Sequence, residues 1–243
     1  MTENRPLVVV TVVTAVVLVL ALGAAVLMRV ERNRDHHSSA GGTTRTSGSP
    51  GSVRCSGGPC QQLATWSAGG TTAVLMADPY GRDGRLKFTG GTGTSIFETD
   101  VSGADVVLTS DSLRCVSGAA PACLVSGPYA ESDTRPGHLG EVFARHGGYW
   151  SRVGYNYIYS SGGKLALGTG DDGLRVVAVQ HNCGAGTSTT CAHPALYVQV
   201  YSVDGTSVGC TLTATRLELL PGKGTDVPPS YDLHSCPKTK SAG

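Results

Sequence analysis

Two histidines flank two cysteines symmetrically in the second half of this 243-residue chain, as His181-Asn-Cys183 and Cys191-Ala-His193. If the cysteines bond across a hairpin, residues two positions away share their face, so the imidazoles would lie opposite one another. Two imidazoles can hold zinc or copper. No third protein ligand is identifiable, and the matching positions beside an earlier cysteine pair are apolar. A cross-strand histidine pair is therefore favoured over a metal site at His181 and His193.

Aromatic side chains concentrate between residues 149 and 159. In a strand, Tyr155, Tyr157 and Tyr159 lie on one face and form a stripe, and Trp150 lies shortly before them. Such a stripe can stack on sugar rings or bind a protein, because tyrosine combines apolar area with a polar tip. The alternative is that these side chains pack on a half-buried sheet. The four residues are the predicted ligand-binding surface.

Other functional classes are disfavoured by motif and charge. No H-E-x-x-H or G-x-x-x-x-G-K-[ST] motif occurs in the chain, so neither a zinc protease nor a phosphate-binding loop is indicated. Residues 53–243 hold 14 Lys and Arg against 15 Asp and Glu, without a basic cluster. Nucleic-acid binding needs a clustered positive surface. We therefore expect no nucleic-acid partner, and no motif indicates a cofactor.

Eight cysteines, all beyond residue 54, indicate the compartment. An even number confined to the part that follows an apolar segment is typical of four disulfides in an oxidising environment. Eight cysteines allow 105 pairings. Spacing and elimination favour one set: Cys55–Cys60, Cys115–Cys123, Cys183–Cys191 and Cys210–Cys236.

The amino-terminal segment is predicted to cross a membrane once. Residues 7–30 carry no charge before Arg29, and roughly 20 apolar residues span the hydrocarbon core of a bilayer. A cleaved secretory signal is the alternative, although its apolar region is usually shorter. We expect a short cytoplasmic tail at 1–6, a signal anchor at 7–30, a flexible linker at 31–52 and an extracytoplasmic β domain at 53–243.

The orientation of this anchor involves a conflict. Arg29, Arg32 and Arg34 follow the span, and the positive-inside rule would place the following domain in the cytoplasm. The cysteines oppose that orientation, because four structural disulfides require export. The chain is therefore predicted to be a single-pass protein of the cell membrane with its carboxy-terminal domain outside.

The exported part is predicted to be all-β. Short runs with β-branched and aromatic residues alternate with Gly, Asp, Ser and Pro from residue 70 onward, and 34 glycines and 12 prolines oppose long helices. Hairpin turns are expected at Gly147-Gly148, at 161–163 and at Asp204-Gly205. The predicted strands are 73–77, 85–88, 95–98, 105–109, 113–116, 122–126, 141–145, 155–159, 164–167, 174–180, 195–203 and 211–219.

An internal duplication is also predicted. The Cys115/Cys123 and Cys183/Cys191 pairs share a seven-residue spacing, lie 68 residues apart and each follow an apolar run, at 106–108 and 176–178. Matching spacing in matching context indicates repeated disulfide-clamped hairpins.

Acidic turns at 100–105 and 170–173 begin these two units, and a third at 78–84 is interpreted as the start of a damaged earlier unit. They resemble the Asp- and Gly-rich loops of FG-GAP-type repeats in bacterial surface β-propellers, over residues 75–215. The resemblance implies a small propeller-like domain, and a sandwich is the alternative. That family's loops wrap calcium, but no loop here supplies the five or six oxygens that calcium requires, so calcium binding does not carry over.

These observations favour a membrane-anchored extracytoplasmic binding module, with a cell-envelope glycan or protein as its partner. Two alternatives remain open. One is an extracytoplasmic enzyme whose site is assembled from scattered residues, and the other is a structural accessory subunit of a membrane assembly.

Overall fold

A computed structural model describes residues 53–91, 93–129, 137–171, 173–182 and 195–237, without the side chains of residues 155 and 156. The predicted tail, anchor and linker at 1–52 lie outside these residues. Within the described ranges, no helix is both long and apolar enough to cross a bilayer.

The chain folds into three four-stranded antiparallel sheets that follow one another along the sequence, after a two-stranded hairpin of β1 (Arg54–Cys55) and β2 (Gly58–Pro59). Sheet 1 contains β3 (Gln61–Ala68), β4 (Thr71–Ala77), β5 (Gly84–Gly90) and β6 (Gly93–Glu98). Sheet 2 contains β7 (Leu113–Val116), β8 (Ala122–Tyr129), β9 (Gly137–His146) and β10 (Tyr149–Ser160). Sheet 3 contains β11 (Leu165–Gly170), β12 (Gly173–Asn182), β13 (Ala195–Ser202) and β14 (Ser207–Cys210).

Each sheet is a meander, because every strand pairs with its neighbours in sequence. The short helix α1 (Asp100–Gly103) and a 3-10 turn (Ser110–Ser112) connect sheet 1 to sheet 2. Three further 3-10 turns follow β14, at Leu217–Leu219, Pro221–Lys223 and Ser230–Asp232.

Sheet 2 is the middle layer and is buried on both faces. Cys123, Val125 and Phe143 share a core with sheet 1, whereas Leu124 and Val142 share a core with sheet 3. Side chains alternate between the faces of a strand, so strands covered on both sides must be apolar at successive positions. This explains the apolar runs at Ala122–Val125 in β8 and Val142–Ala144 in β9.

The outer face of sheet 3 is covered by the segment that follows β14. Val177 and Val179 of β12 pack with Leu220, and Leu217 and Val227 contribute to the same cluster. The segment makes only isolated bridges to the sheet, such as Leu196 with Ala214. A disulfide from Cys210 to Cys236 holds its far end.

Asp83 connects the β1–β2 hairpin to sheet 1 through hydrogen bonds. The hydroxyl of Ser56 donates to Asp83 Oδ2 at 2.7 Å, the Ser56 amide also donates to it, and Arg85 pairs with the other oxygen. Burial opposes ionisation, but the hydrogen bonds from Ser56 and the charge of Arg85 hold the pKa of Asp83 below its usual value. The carboxylate therefore stays charged and tethers the hairpin.

The all-β prediction is confirmed, with corrections to individual strands. Residues 105–109 are not a strand: Asp105 has φ of +59°, and Val106 and Leu108 are buried side chains of an irregular connection. Leu108 donates a single backbone hydrogen bond to Gly81 instead of joining a ladder.

Two further corrections concern connections. Residues 211–219 are not a strand but the first part of the segment after β14 that covers sheet 3, here called the covering segment. The turn at 161–163 is not a hairpin, because β10 belongs to sheet 2 and β11 to sheet 3. The hairpins at Gly147-Gly148 and Asp204-Gly205 are confirmed by the β9–β10 and β13–β14 pairings.

The predicted 68-residue duplication is wrong. What repeats along the chain is the four-stranded sheet, with a different spacing. Cys115 lies in β7, the first strand of sheet 2, whereas Cys183 follows β12, the second strand of sheet 3. The strands around the two cysteine pairs therefore differ in their place: β7 and β8 are the first and second strands of sheet 2, whereas β12 and β13 are the second and third strands of sheet 3. The first strands of the three sheets begin at Gln61, Leu113 and Leu165, 52 residues apart in both intervals.

Three of the four predicted disulfides are present: Cys55–Cys60, Cys115–Cys123 and Cys210–Cys236. Cys115 and Cys123 are direct partners across β7 and β8, with their Cα atoms 4.0 Å apart. The Cys183–Cys191 pair lies outside the described residues and stays a prediction.

Peptide mapping under non-reducing conditions tests the complete set. We expect cross-linked peptides for the three observed bridges, and a fourth that joins Cys183 to Cys191, because these are the two remaining cysteines. Free thiols at Cys115 and Cys123, or a peptide that joins either of them to another cysteine, would contradict the pairing.

The packing of Trp150 gives a stability prediction. Its side chain is 8% exposed and stacks on Phe88, with 3.8 Å between the ring centroids. Trp150→Ala removes this contact and leaves a cavity, so the free energy of unfolding in urea should fall by about 3–5 kcal/mol. Tyr149→Ala is the matched control, because Tyr149 is 63% exposed and its loss should cost less than about 0.5 kcal/mol. Equal losses for the two variants would contradict this packing.

Candidate functional site

A cleft of about 310 Å³ opens between the hairpin ends of sheets 1 and 2. Its lining comes from the β3–β4 hairpin (Trp66, Ala68, Gly69 and Thr71), the β7–β8 connection (Ser117, Gly118, Ala119 and Pro121) and the β9–β10 hairpin (Arg145, Gly147 and Gly148). We call this the inter-sheet cleft.

Glycine turns make room for the cleft. Gly69 and Gly70 have φ of +57° and +73°, and Gly147 and Gly148 have φ of +55° and +91°. L-residues with side chains rarely adopt these values, so two successive glycines permit the tight two-residue turns. The turns carry no side chains that would fill the space between the two sheets.

Two side chains give the cleft its chemical character. Trp66 pairs with Ala73 in sheet 1, packs partly on the core shared with sheet 2 and offers an aromatic surface to the cleft. Arg145, near the end of β9, places its guanidinium between the sheets, where Nη1 lies 3.4 Å from Thr71 Oγ1 and Nε lies 3.4 Å from the carbonyl of Gly148. An aromatic surface, a hydroxyl and a guanidinium are groups that can recognise a polar ring.

The predicted site residue Trp150 lies beside this cleft. Thr71 and Arg145 also line a smaller depression of about 20 Å³, together with Tyr149 and Trp150. Because the Trp150 ring is stacked on Phe88, only its edge is available there.

A cluster of ionisable groups lies elsewhere at the same interface and is built by a bulge in β10. The β9–β10 register shifts between Val153 and Ile158, so Glu141 of β9 has no direct partner on β10. The bulge passes close to sheet 3 at Gly154, where φ is +80° and a Cβ atom would lie 2.6 Å from the Asp204 carbonyl. Bulges of this kind redirect side chains.

Glu141 is the buried centre of this cluster, with 4% of its surface exposed. Its Oε2 lies 2.8 Å from Arg152 Nε, but the N–H does not point along this line, so the contact is an ion pair without a well-directed hydrogen bond. Arg152 also pairs with Asp100 at 2.5 Å. The amide of Val101 donates to Glu141 Oε1 at 3.5 Å.

The pKa of Glu141 follows from these surroundings. Its net pKa is raised from 4.5 to about 7: burial is the main cause and the negative charge of Asp100 acts in the same direction, while Arg152 only partly offsets these two effects. Glu141 can therefore gain or lose a proton near neutral pH. It does not line the inter-sheet cleft, and four residues of β9, about 13 Å at about 3.3 Å each, separate it from Arg145.

Two tyrosines of the predicted stripe, Tyr155 and Tyr157, lie within the bulge, and Tyr159 follows it. The Tyr157 hydroxyl donates to the Asp100 carbonyl at 3.0 Å, and 43% of the residue is exposed. Tyr159 pairs with Leu139 and packs against the core between sheets 1 and 2. Six residues of β9 separate the partners of Tyr159 and Trp150, about 20 Å, so these two do not form one surface. The side chain of Tyr155 lies outside the described set.

One member of the predicted histidine pair, His181, lies in β12. His181 lies opposite Leu196 on β13, and His193 lies outside the described residues, so a two-histidine metal site stays a prediction. Within the part of the chain that the structure describes, no three His, Cys, Asp or Glu side chains are grouped to hold a metal ion.

Sequence reasoning also passed over one pattern and one strand. Gly205–Gly209 matches the G-x-S-x-G pattern of serine nucleophiles, but Ser207 begins strand β14 and its hydroxyl interacts with Gln199 Nε2 at 3.1 Å. A nucleophile elbow needs a strand-turn-helix, so this serine is not in that context. Strand β3, which carries Trp66, was not predicted, although the glycine pair after it is typical of a hairpin turn.

Comparison with known proteins gives no information on this site. No protein-family model, no curated protein and no solved structure matches the chain.

The raised pKa of Glu141 predicts how stability changes with pH. An unfolded glutamate titrates near 4.5, so the folded state is most favoured below that pH and loses stability as pH rises to about 7. A shift of this size corresponds to roughly 3 kcal/mol. Glu141→Gln cannot ionise, so this loss should disappear when urea unfolding is measured between pH 4.5 and 8.

Two comparisons separate Glu141 from other titrating groups. Burial lowers the pKa of His138, which gives the opposite slope below about pH 6.5, so the test is the difference between the wild type and Glu141→Gln. Glu218→Gln, on the exposed covering segment, should keep the wild-type profile. Parallel profiles for the wild type and Glu141→Gln would contradict a raised pKa.

Proposed function

We propose that this chain is a single-pass, membrane-anchored extracytoplasmic binding module whose inter-sheet cleft binds a glycan of the cell envelope. The anchor is the apolar segment 7–30, and the linker 31–52 holds the β domain away from the bilayer. The cleft observation carries the proposal: Trp66, Thr71 and Arg145 meet in an open space between two sheets.

Export is supported by the disulfides. Three bridges close loops in the β domain, and such bridges persist in oxidising compartments. The apolar length of residues 7–30 matches the thickness of a bilayer. These two features together favour an anchor that delivers the domain to the outer side of the membrane.

We further propose that the three sheets are propeller-like units, in keeping with the resemblance to FG-GAP-type repeats. Two observations support this interpretation. Each sheet is a four-stranded meander, as a propeller blade is. The sheets also pack face to face in sequence order, with first strands at a constant spacing.

A glycan suits the cleft for a physical reason. The apolar faces of sugar rings stack on aromatic side chains, while ring hydroxyls need polar partners at the edges. Trp66 supplies the aromatic surface, Thr71 supplies a hydroxyl, and the cleft volume of about 310 Å³ lies within the usual range for small-ligand sites.

Co-sedimentation with purified cell-wall sacculi tests this function. The full-length chain in mild detergent should be retained, and Trp66→Leu should weaken retention about tenfold, a loss of about 1.4 kcal/mol. Leucine keeps apolar packing against the core and removes only the aromatic surface. Tyr80→Ala is the control, because Tyr80 is 77% exposed and does not line the cleft; it should bind like the wild type.

The tyrosine surface is included in the same assay. Tyr157→Ala removes an exposed side chain of the predicted stripe and should leave retention unchanged. If Tyr157→Ala abolishes retention and Trp66→Leu does not, the ligand site lies at the bulge and the cleft assignment is wrong.

A further inference from the structure

Among the described residues that line the inter-sheet cleft, Arg145 is the one ionisable residue. The other ten of these lining residues are neutral, so together they give the cleft a single positive charge. Among the described residues, Arg85 and Arg152 are held by carboxylates. None of the four ion pairs found there includes Arg145.

The hydrogen bonds of Arg145 leave capacity for a ligand. Its guanidinium has five N–H donors. Two of them reach Thr71 Oγ1 and the Gly148 carbonyl, both at 3.4 Å, which is beyond the usual range of about 2.7–3.2 Å. These contacts orient the planar group without neutralising its charge.

We infer that the ligand of this cleft is an acidic sugar, whose carboxylate or phosphate is bound by Arg145 while its ring lies against Trp66; the inference rests on the glycan-binding function proposed above. A guanidinium binds planar or tetrahedral oxyanions through two parallel hydrogen bonds. Thr71 Oγ1, which is already within reach of Nη1, can donate to the same anion. A neutral sugar would leave the arginine charge uncompensated in a partly enclosed space.

Isothermal titration calorimetry on the full-length chain in mild detergent tests this inference with three matched ligands. They are an N-acetylglucosamine hexamer, the same hexamer with C6 carboxylates and the same hexamer with C6 phosphates. The wild type should bind at least one acidic hexamer about tenfold or more tighter than the neutral one. The carboxylate and phosphate arms show which anion is preferred.

Variants of Arg145 separate direct binding from folding. Arg145→Gln should bind the three hexamers with similar affinity, close to that of the wild type for the neutral hexamer. Arg145→Lys keeps the charge but not the planar group, so it should keep part of the preference. In the wild type, the preference should shrink between about 50 mM and 500 mM salt, because screening weakens exposed charge pairs.

The outcomes are distinct. Equal binding of neutral and acidic hexamers by the wild type, or an acidic preference that survives in Arg145→Gln, overturns this inference and leaves the glycan function standing if sacculi are still retained. Absence of sacculus retention together with absence of binding to every hexamer overturns both.

Discussion

Sheet 2 must be covered on both faces, and the rest of the structure depends on that constraint. Phe143 and Val142 are neighbours in sequence, yet each is almost fully buried because they point to opposite sides of β9. Burial of such residues supplies about 25 cal/mol for each Å² of apolar surface. Sheets 1 and 3 supply the two covers, and sheet 3 in turn needs the segment after β14 to cover its own outer face.

The inter-sheet cleft is a consequence of this stacking. Two sheets packed face to face keep a roughly constant separation set by their core side chains, here around Phe88, Phe143 and Trp150. At the glycine turns that end the strands, no side chains are present to fill the gap between the two sheets. The space left there is bounded by Trp66 on one sheet and Arg145 on the other, so the two side chains that define the cleft come from residues 79 positions apart.

Much of the local structure could be predicted from the sequence, because it depends on short-range rules. The runs of β8 and β12 are rich in β-branched and apolar residues, and Gly147-Gly148 can form a tight turn that few other pairs allow. Cys115 and Cys123 could be paired because a hairpin that short brings them together. Residues 106–108 have the composition of a strand, but Val106 and Leu108 fill core positions without a neighbouring strand to bond to.

The site was less predictable because it depends on which strands pair and which sheets face each other. Glycines at 162 and 163 resemble those of a hairpin, yet they lead from one sheet to the next. A stripe through Tyr155, Tyr157 and Tyr159 assumes a continuous ladder, and the bulge opposite Glu141 interrupts it. Strand β3 is half-exposed at the edge of sheet 1, so its alternation is weak and Trp66 gave no signal of its own.

Sheets 1 and 2 therefore share an interface with two different kinds of polar group. At Arg145 the charge lies beside an open cleft, where a ligand anion can compensate it. At Glu141 the charge lies beneath α1 and the bulge, where Arg152 compensates it only in part and a proton competes with the ion pair near neutral pH. Both groups lie on β9, a strand with buried neighbours on both faces. Each is tolerated because it lies where the neighbouring strands cover β9 incompletely: Arg145 at the end of the hairpin and Glu141 at the bulge.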